Sequence, residues 1–318
     1  MPARWINSVC AVCGATDGTP AVRVPHPDAP EGMSFVWQCA QCGLRRLHPR
    51  PAPESLGAYY NQGGWYNAYV GRIRSARSQR LWDLMRDSFS RPAGASWSSR
   101  ILGPLLAPLA RYQFDLNVPL NGRRGLRVLE VGSGFGDVLI YLRSRGCEVL
   151  GTDLEPNAAE AGRAQGVEIR IGNLVDLALP SESFDVGMMC HSLEHVPDPN
   201  VELAELRRVL RPGAQLQIAV PNGAAVRLAM DGPDWWHLSH PLHFWYFDPE
   251  NLANLVRKHG FEPTRVSSVL RPNVLAAWKF DRKKHGLGGA TRRLTEVSGA
   301  TLKSGLRGDS LRLTAIRR

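Results

Sequence analysis

Several groups of residues combine types and spacings that can do chemistry. In Glu130-Val131-Gly132-Ser133-Gly134-Phe135-Gly136, three glycines at alternate positions follow an acid at the end of a short apolar run, and Asp153 comes 17 residues after Gly136. Glycines there permit positive φ and let a ligand lie against bare backbone. A carboxylate such as Asp153 can accept from two neighbouring hydroxyls. Asp137 stands where a dinucleotide fingerprint has its last Gly, and Glu130 is a poor neighbour for a pyrophosphate. The acids suit a ligand that carries positive charge and hydroxyls.

Cys10-x-x-Cys13 and Cys39-x-x-Cys42 are each followed by Gly, at Gly14 and Gly43, and 25 residues separate the pairs. Two such thiolate pairs can share one tetrahedral ion, and the Gly lets backbone amides turn toward the sulfurs. Four protein ligands close the site, so the expected metal is structural. Cys147 and Cys190 fall in predicted strands and read as small core residues. His195 and His243 are candidates for taking a proton, because an unperturbed imidazole titrates at about 6.5. For His195, capping of backbone or pairing with Glu194 is the other reading. Around His243, the run 235–247 spaces His237, His240 and His243 at i, i+3 and i+6. Pro241 opposes a helix through them and no carboxylate completes a ligand set. The run reads instead as an aromatic wall over a substrate, with Trp236, His240 and Tyr246 shaping the pocket.

These residues need a scaffold, and from Gly125 onward strand and helix patterns alternate. Segments 126–131, 148–152, 169–171, 184–189 and 215–220 read as strands, the last entered through a Pro212-Gly213 turn. Segments 137–145, 157–165 and 200–210 read as helices. This order predicts a doubly wound α/β fold with ligands at the strand C-termini. Asp248-Pro249 opens a further helix that Gly260 closes, and 265–270 with 310–316 alternate like a closing antiparallel pair. Before Gly125, segments 22–24 and 35–38 suggest a small hairpin between the Cys pairs. A Pro-rich connector at 49–53 then leads to an Arg-rich helical pattern over 70–90 and a second helical piece over 101–112. The expected division is a Cys module over 1–50, a connector and helical cap over 51–120, and the α/β domain over 121–318.

The pattern E-x-G-x-G-x-G, from Glu130 to Gly136, resembles the first motif of the class I S-adenosylmethionine-dependent methyltransferases. That resemblance implies a seven-stranded, mostly parallel, Rossmann-like sheet. It implies that S-adenosylmethionine lies against Glu130, Gly132, Ser133, Gly134 and Gly136. Asp153 would then hold the ribose beside Leu154, Asn173 and Leu174 would sit near the adenine, and Cys190 and His191 would end the fourth strand. Leu193-Glu194-His195-Val196 resembles the L-E-H-V segment of small-molecule and lipid methyltransferases; enzymes that methylate base amines carry N-P-P-Y or D-P-P-Y there. The run W-x-x-x-x-P-x-H-x-x-x-F, from Trp236 to Phe247, resembles a bacterial group of class I enzymes, many of them associated with glycan, nucleotide-sugar or lipid-linked substrates. His243 matches the His of its Pro-x-His. The N-terminal module resembles a zinc ribbon with Cys10, Cys13, Cys39 and Cys42 as ligands. Such a ribbon also precedes sugar C-methyltransferases, whose Tyr-x-Glu-His element this chain lacks.

Among its 318 residues 43% are hydrophobic, and the net charge of +10 is unevenly spread. Residues 1–125 carry +8, 126–270 carry −7 and 271–318 carry +9. Basic flanks favour an anionic partner such as a nucleotide-sugar, a phospholipid headgroup at a membrane surface, or nucleic acid; a solvated Arg-rich surface is the blander reading. No run of about 18 apolar residues occurs, and the N-terminus lacks the apolar core of a secretory signal. With CxxC spacing in place of a disulfide framework, a cytoplasmic protein is expected. The expected function is transfer of a methyl group from S-adenosylmethionine to a small-molecule, nucleotide-sugar or glycan- or lipid-linked acceptor, at oxygen. Two alternatives stand beside it: a zinc-ribbon RNA base methyltransferase, and a non-catalytic scaffold that binds the cofactor.

Overall fold

A computed structural model describes residues 4–26, 28–56, 83–88, 90–93, 97, 101, 102, 105, 118, 120–238, 242–269 and 274–318. At the N-terminal end β1 (Trp5–Ile6) pairs with β5 (Arg50–Pro51). Between them β2 (Gly18–Pro25), β3 (Met33–Cys39) and β4 (Arg45–His48) form antiparallel ladders. The hairpin expected between the Cys pairs is therefore present and longer than its apolar residues indicated. The helical patterns expected over 70–90 and 101–112 lie largely outside the described residues; 83–88 are helical.

The α/β part begins with β6 (Arg127–Val131), where four of five residues are buried, as befits a strand covered on both faces. It continues through α1 (Asp137–Ser144), β7 (Glu148–Asp153), α2 (Pro156–Ala164), β8 (Glu168–Ile171), β9 (Phe184–Cys190), α3 (Pro199–Val209) and β10 (Leu210–Pro221). After α4 (Val226–Asp231) and β11 (Trp245–Tyr246) come α5 (Pro249–Lys258), β12 (Phe261–Val269), α6 (Val274–Ser304) and β13 (Ser310–Arg317). Helix starts follow capping chemistry. Asp198 accepts from Asn200 N ahead of α3, and Asp248 accepts from Asn251 N ahead of α5, each with Pro in the first turn.

Seven strands form one sheet in the order β12-β13-β10-β9-β6-β7-β8. β13 runs antiparallel to both its neighbours, and the remaining pairs are parallel. This is the Rossmann-like sheet that the first glycine motif implied. The order turns back between β6 and β9, so a crevice opens at their C-terminal ends, where such sheets bind ligands. The Gly-rich turn leaves β6 there, and the Cys190-to-His195 segment leaves β9.

One local outcome differs from the sequence expectation. Pro212 and Gly213, expected as a turn, lie inside β10 at a shift of register between Leu210 and Gln215. A Pro and a Gly at φ 77° can sit in a strand where the ladder is already interrupted. Between the closing strands, α6 is bent at Gly286 (φ 73°, ψ 178°). Because of that bend Arg293 Nε comes within 3.7 Å of Asp281 Oδ1, whereas 12 residues of straight helix would separate them by about 18 Å.

Candidate active site

On one side of the crevice Gly132, Gly134 and Gly136 all have positive φ, at 71°, 53° and 78°. The amides of Gly132 and Ser133 donate to Thr152 O at 2.8 and 3.0 Å, which folds the turn over the end of β7. Asp153 Oδ2 accepts from Gly134 N at 2.7 Å and Oδ1 from Glu155 N at 2.9 Å. A carboxylate oxygen can accept more than one hydrogen bond. The turn also touches the segment after β9. A Cβ on Gly132 would fall 2.4 Å from Ser192 Cβ, and Ser192 Oγ donates to Val131 O at 2.6 Å. Gly151 in β7 matters for the same reason, since a side chain there would meet Ser133 Oγ at 2.5 Å. Neither Ser192 nor Gly151 was singled out from the sequence, where no spacing marks them.

Glu130 is 2% exposed and its Oε2 has no hydrogen-bond partner among the described residues. Burial pushes its carboxyl up to about 8; Arg86 pulls it down, and Asp137 and Asp153 push it further up. A buried acid with an unsatisfied oxygen beside three glycines fits a ligand with a cationic group and close backbone contact. Leu154 is exposed and Leu174 fully buried. Asn173 is exposed and engaged locally, accepting from Asp176 N at 2.9 Å and donating to Asp176 Oδ2 at 2.5 Å.

Across the crevice the segment after β9 gathers imidazoles around one buried acid. His191 has φ 53°, and its Nδ1 lies 3.2 Å from Glu194 Oε1. Glu194 is 0% exposed, and its Oε2 has no hydrogen-bond partner among the described residues. His191 is thus an imidazole paired with that acid. His195 Nδ1 meets Leu242 O at 3.0 Å and His243 Nδ1 meets His237 O at 2.7 Å. A carbonyl only accepts, so in each ring Nδ1 is the donor toward it. The two rings stand edge to face with centroids 4.6 Å apart, and potential ligand atoms of Glu194, His195 and His243 lie within 4.8 Å of one another. The structure thus brings together the two imidazoles named from the sequence and Glu194, which the sequence offered only as a partner for His195. His237 stacks near His191 and Trp236, at centroid distances of 5.9 and 3.6 Å. Trp236 is half-buried, and Tyr246 is 1% exposed with its ring 6.5 Å from that of His243. Burial, with Glu194 nearby, pushes the Tyr246 phenol up, so it stays protonated. His240 lies outside the described residues. Cys190 and His191 are both half-buried at the end of β9.

The sequence of residues 102–266 matches the family described as "Methyltransferase domain", which is more than half of the chain. The chain belongs to this methyltransferase family. It is an S-adenosylmethionine-dependent enzyme. Among curated relatives, the ubiquinone biosynthesis O-methyltransferase of Cereibacter sphaeroides is 30% identical over 184 residues, covering 54% of this chain and 74% of that protein. The protein of the same name from Xanthomonas oryzae pv. oryzae is 29% identical over 209 residues, 62% of this chain and 81% of that one. Among solved structures, an S-adenosylmethionine-dependent methyltransferase from Mesorhizobium loti gives a TM-score of 0.44 at 20% identity, over 61% of this chain and 92% of that chain.

The four paired cysteines of the methyltransferase lie in the N-terminal module of strands β1 to β5. Both CxxC-Gly turns fold alike: Gly14 N donates to Cys10 O at 2.9 Å and Gly43 N to Cys39 O at 3.1 Å. Cys10 N then reaches Ala15 O, and Cys39 N reaches Leu44 O, both at 2.9 Å. Cys10 and Cys42 Sγ lie 3.4 Å apart, Cys13 and Cys39 Sγ 3.5 Å, and all four within 4.8 Å. A tetrahedron with Zn–S bonds of about 2.3 Å has edges near ~3.8 Å, so the four sulfurs fit one zinc ion. No described helix is long and apolar enough to cross a membrane.

Proposed function

We propose that the enzyme methylates a hydroxyl oxygen of a small, ring-bearing acceptor, with Glu194, His195 and His243 handling the acceptor's proton. The observation that carries this reading is the pair of imidazoles whose Nδ1 atoms are committed to Leu242 O and His237 O. Both rings lie by the segment that leaves the carboxyl end of β9, where Ser192 meets the glycine turn. The names of the O-methyltransferase relatives support oxygen as the atom methylated.

S-adenosylmethionine, when bound, supplies a methyl group on a sulfonium, an electrophile that needs no further activation. The chain's tasks are alignment and deprotonation. Glu130, Gly132, Ser133, Gly134, Gly136 and Asp153 are the residues that would hold the cofactor, with Leu154, Asn173, Leu174, Cys190 and His191 at its rim. Glu130, whose buried carboxyl is pushed up to about 8, would ionise against its positive charge, and the Asp153 carboxylate would accept from its ribose hydroxyls. His243 Nε2 would take the hydroxyl proton as oxygen attacks, with His195 the second candidate. Buried Glu194 would stabilise the imidazolium so formed. Trp236 would line the acceptor, and Tyr246 would back His243. The four cysteines would hold a structural zinc, in an N-terminal module ahead of the catalytic domain over 121–318. The basic flanks suit an acceptor that carries negative charge.

The test uses His195→Ala and His243→Ala with hydroxylated aromatic acids such as 3,4-dihydroxybenzoate as probe acceptors. Loss of a general base typically lowers rate by about 10²–10⁴, and at least one variant is expected to show this while still binding S-adenosylmethionine. If both stay within about threefold of wild type, below any general-base effect, the assignment is wrong. Methylation of amine probes and not of hydroxyl probes would remove the assignment to oxygen.

A further inference from the structure

The strand that follows His243 does not join the seven-stranded sheet. β11 pairs with β4 of the Cys module, Trp245 opposite Arg46 and Tyr246 opposite Arg45, and Leu47 N donates to Phe244 O at 2.9 Å. On its other side the same segment is tied to the turn after β9. Phe244 N donates to Glu194 O at 2.8 Å, Trp245 Nε1 to Val196 O at 2.8 Å, and Leu242 O accepts from His195. Arg50 closes the stack from the module's side. Its Nη2 donates to Pro197 O at 2.9 Å, and the guanidinium lies 4.8 Å from the Phe244 ring centroid and 5.7 Å from that of Trp245. Only Gly43 and Leu44 separate Cys42 from β4, and Leu44 O is the acceptor that closes the second cysteine turn.

We propose that the Cys module is a positioning element for the acceptor face of the active site. The turn holding Cys39 and Cys42 fixes β4, β4 fixes segment 242–246, and that segment orients His243 and His195. This rests on the reading of those imidazoles as acceptor-side bases. The cofactor face is secured otherwise, through Thr152 O and Asp153, and none of its described hydrogen bonds reaches residues 4–56. Loosening the module therefore disturbs one half of the site and spares the other. Arg50 is the positioning residue best suited to show this, because it clamps the segment without belonging to the four sulfurs.

The experiment compares full-length wild type, wild type depleted of metal with a chelator, and Arg50→Met. Its readouts are metal content, hydrogen exchange of the peptide 242–247, the ¹⁵N signals of histidine Nδ1–H groups, and calorimetric binding of S-adenosylhomocysteine. Arg50→Met is expected to keep its metal while exchange in 242–247 rises about tenfold or more, as for a segment that opens locally. The donor signals of His195 and His243 should broaden or shift, and depletion should produce the same changes more strongly. The dissociation constant for S-adenosylhomocysteine in Arg50→Met should stay within about twofold, as for an independent site. Protection of 242–247 unchanged in both samples would overturn the proposal. So would a parallel loss of S-adenosylhomocysteine affinity in Arg50→Met, which would mark a general loss of fold. Failure of wild type to bind S-adenosylhomocysteine is a separate outcome; it overturns the cofactor reading and takes the proposal with it.

Discussion

Glu130 illustrates how burial turns one side chain into a pH-sensitive element. Its carboxyl is held at about 8, against a usual value of 4.5, because the charged form is desolvated. Glu202 is raised to about 7, mainly by burial and secondarily by Glu205. For a group with a raised folded-state pKa, the native protein binds more protons than the unfolded chain between the two values. Stability is therefore full below about 4.5 and declines as pH rises toward about 8. The melting temperature of the cofactor-free enzyme should fall over that window, and Glu130→Gln should abolish the part above about pH 7, where Glu202 no longer contributes. A decline of unchanged shape in Glu130→Gln would refute the assignment. At this scale the sequence was legible where spacing carries meaning, as in the alternate glycines, all three of which have positive φ. It was silent on Gly151 and Ser192, whose roles come from contacts across strands. Glu194 stood in plain view, but its burial beneath three imidazoles depends on where β11 lies.

Elements were legible where their own residues dictate them. The buried run of β6, the capped starts of α3 and α5, and the antiparallel closure by β13 all follow from local pattern. What local pattern could not supply was pairing at a distance. β11 is two residues long, and nothing in Trp245-Tyr246 indicates that its partner lies about 200 positions earlier in the chain. The approach of Gly223 to this strand is similarly hidden. Gly223 N donates to Phe247 O at 2.7 Å, and a Cβ there would lie 2.3 Å from Tyr246 O and 3.0 Å from Tyr246 C. Backbone cannot step aside as a flexible side chain can. Gly223→Ala should therefore destabilise the protein by about 1–3 kcal/mol, the range for overpacking, and calorimetric melting should show it. Unaltered stability would mean that the loop after β10 is free to move away from β11.

Over the whole molecule, the glycine turn and the segment after β9 that carries the imidazoles meet at the carboxyl end of the sheet, and on the proposed reading the N-terminal module supports the acceptor side. The central claim is that the crevice there binds S-adenosylmethionine with Asp153 as the ribose carboxylate. Titration calorimetry of S-adenosylmethionine into wild type and Asp153→Ala tests it most directly. Wild type should bind one cofactor per chain. Asp153→Ala should bind more weakly by about 1.5–3 kcal/mol, the scale of a hydrogen bond to a charged group, or roughly ten- to a hundredfold in dissociation constant. Equal affinities in the two proteins, or no binding by wild type, would contradict the account.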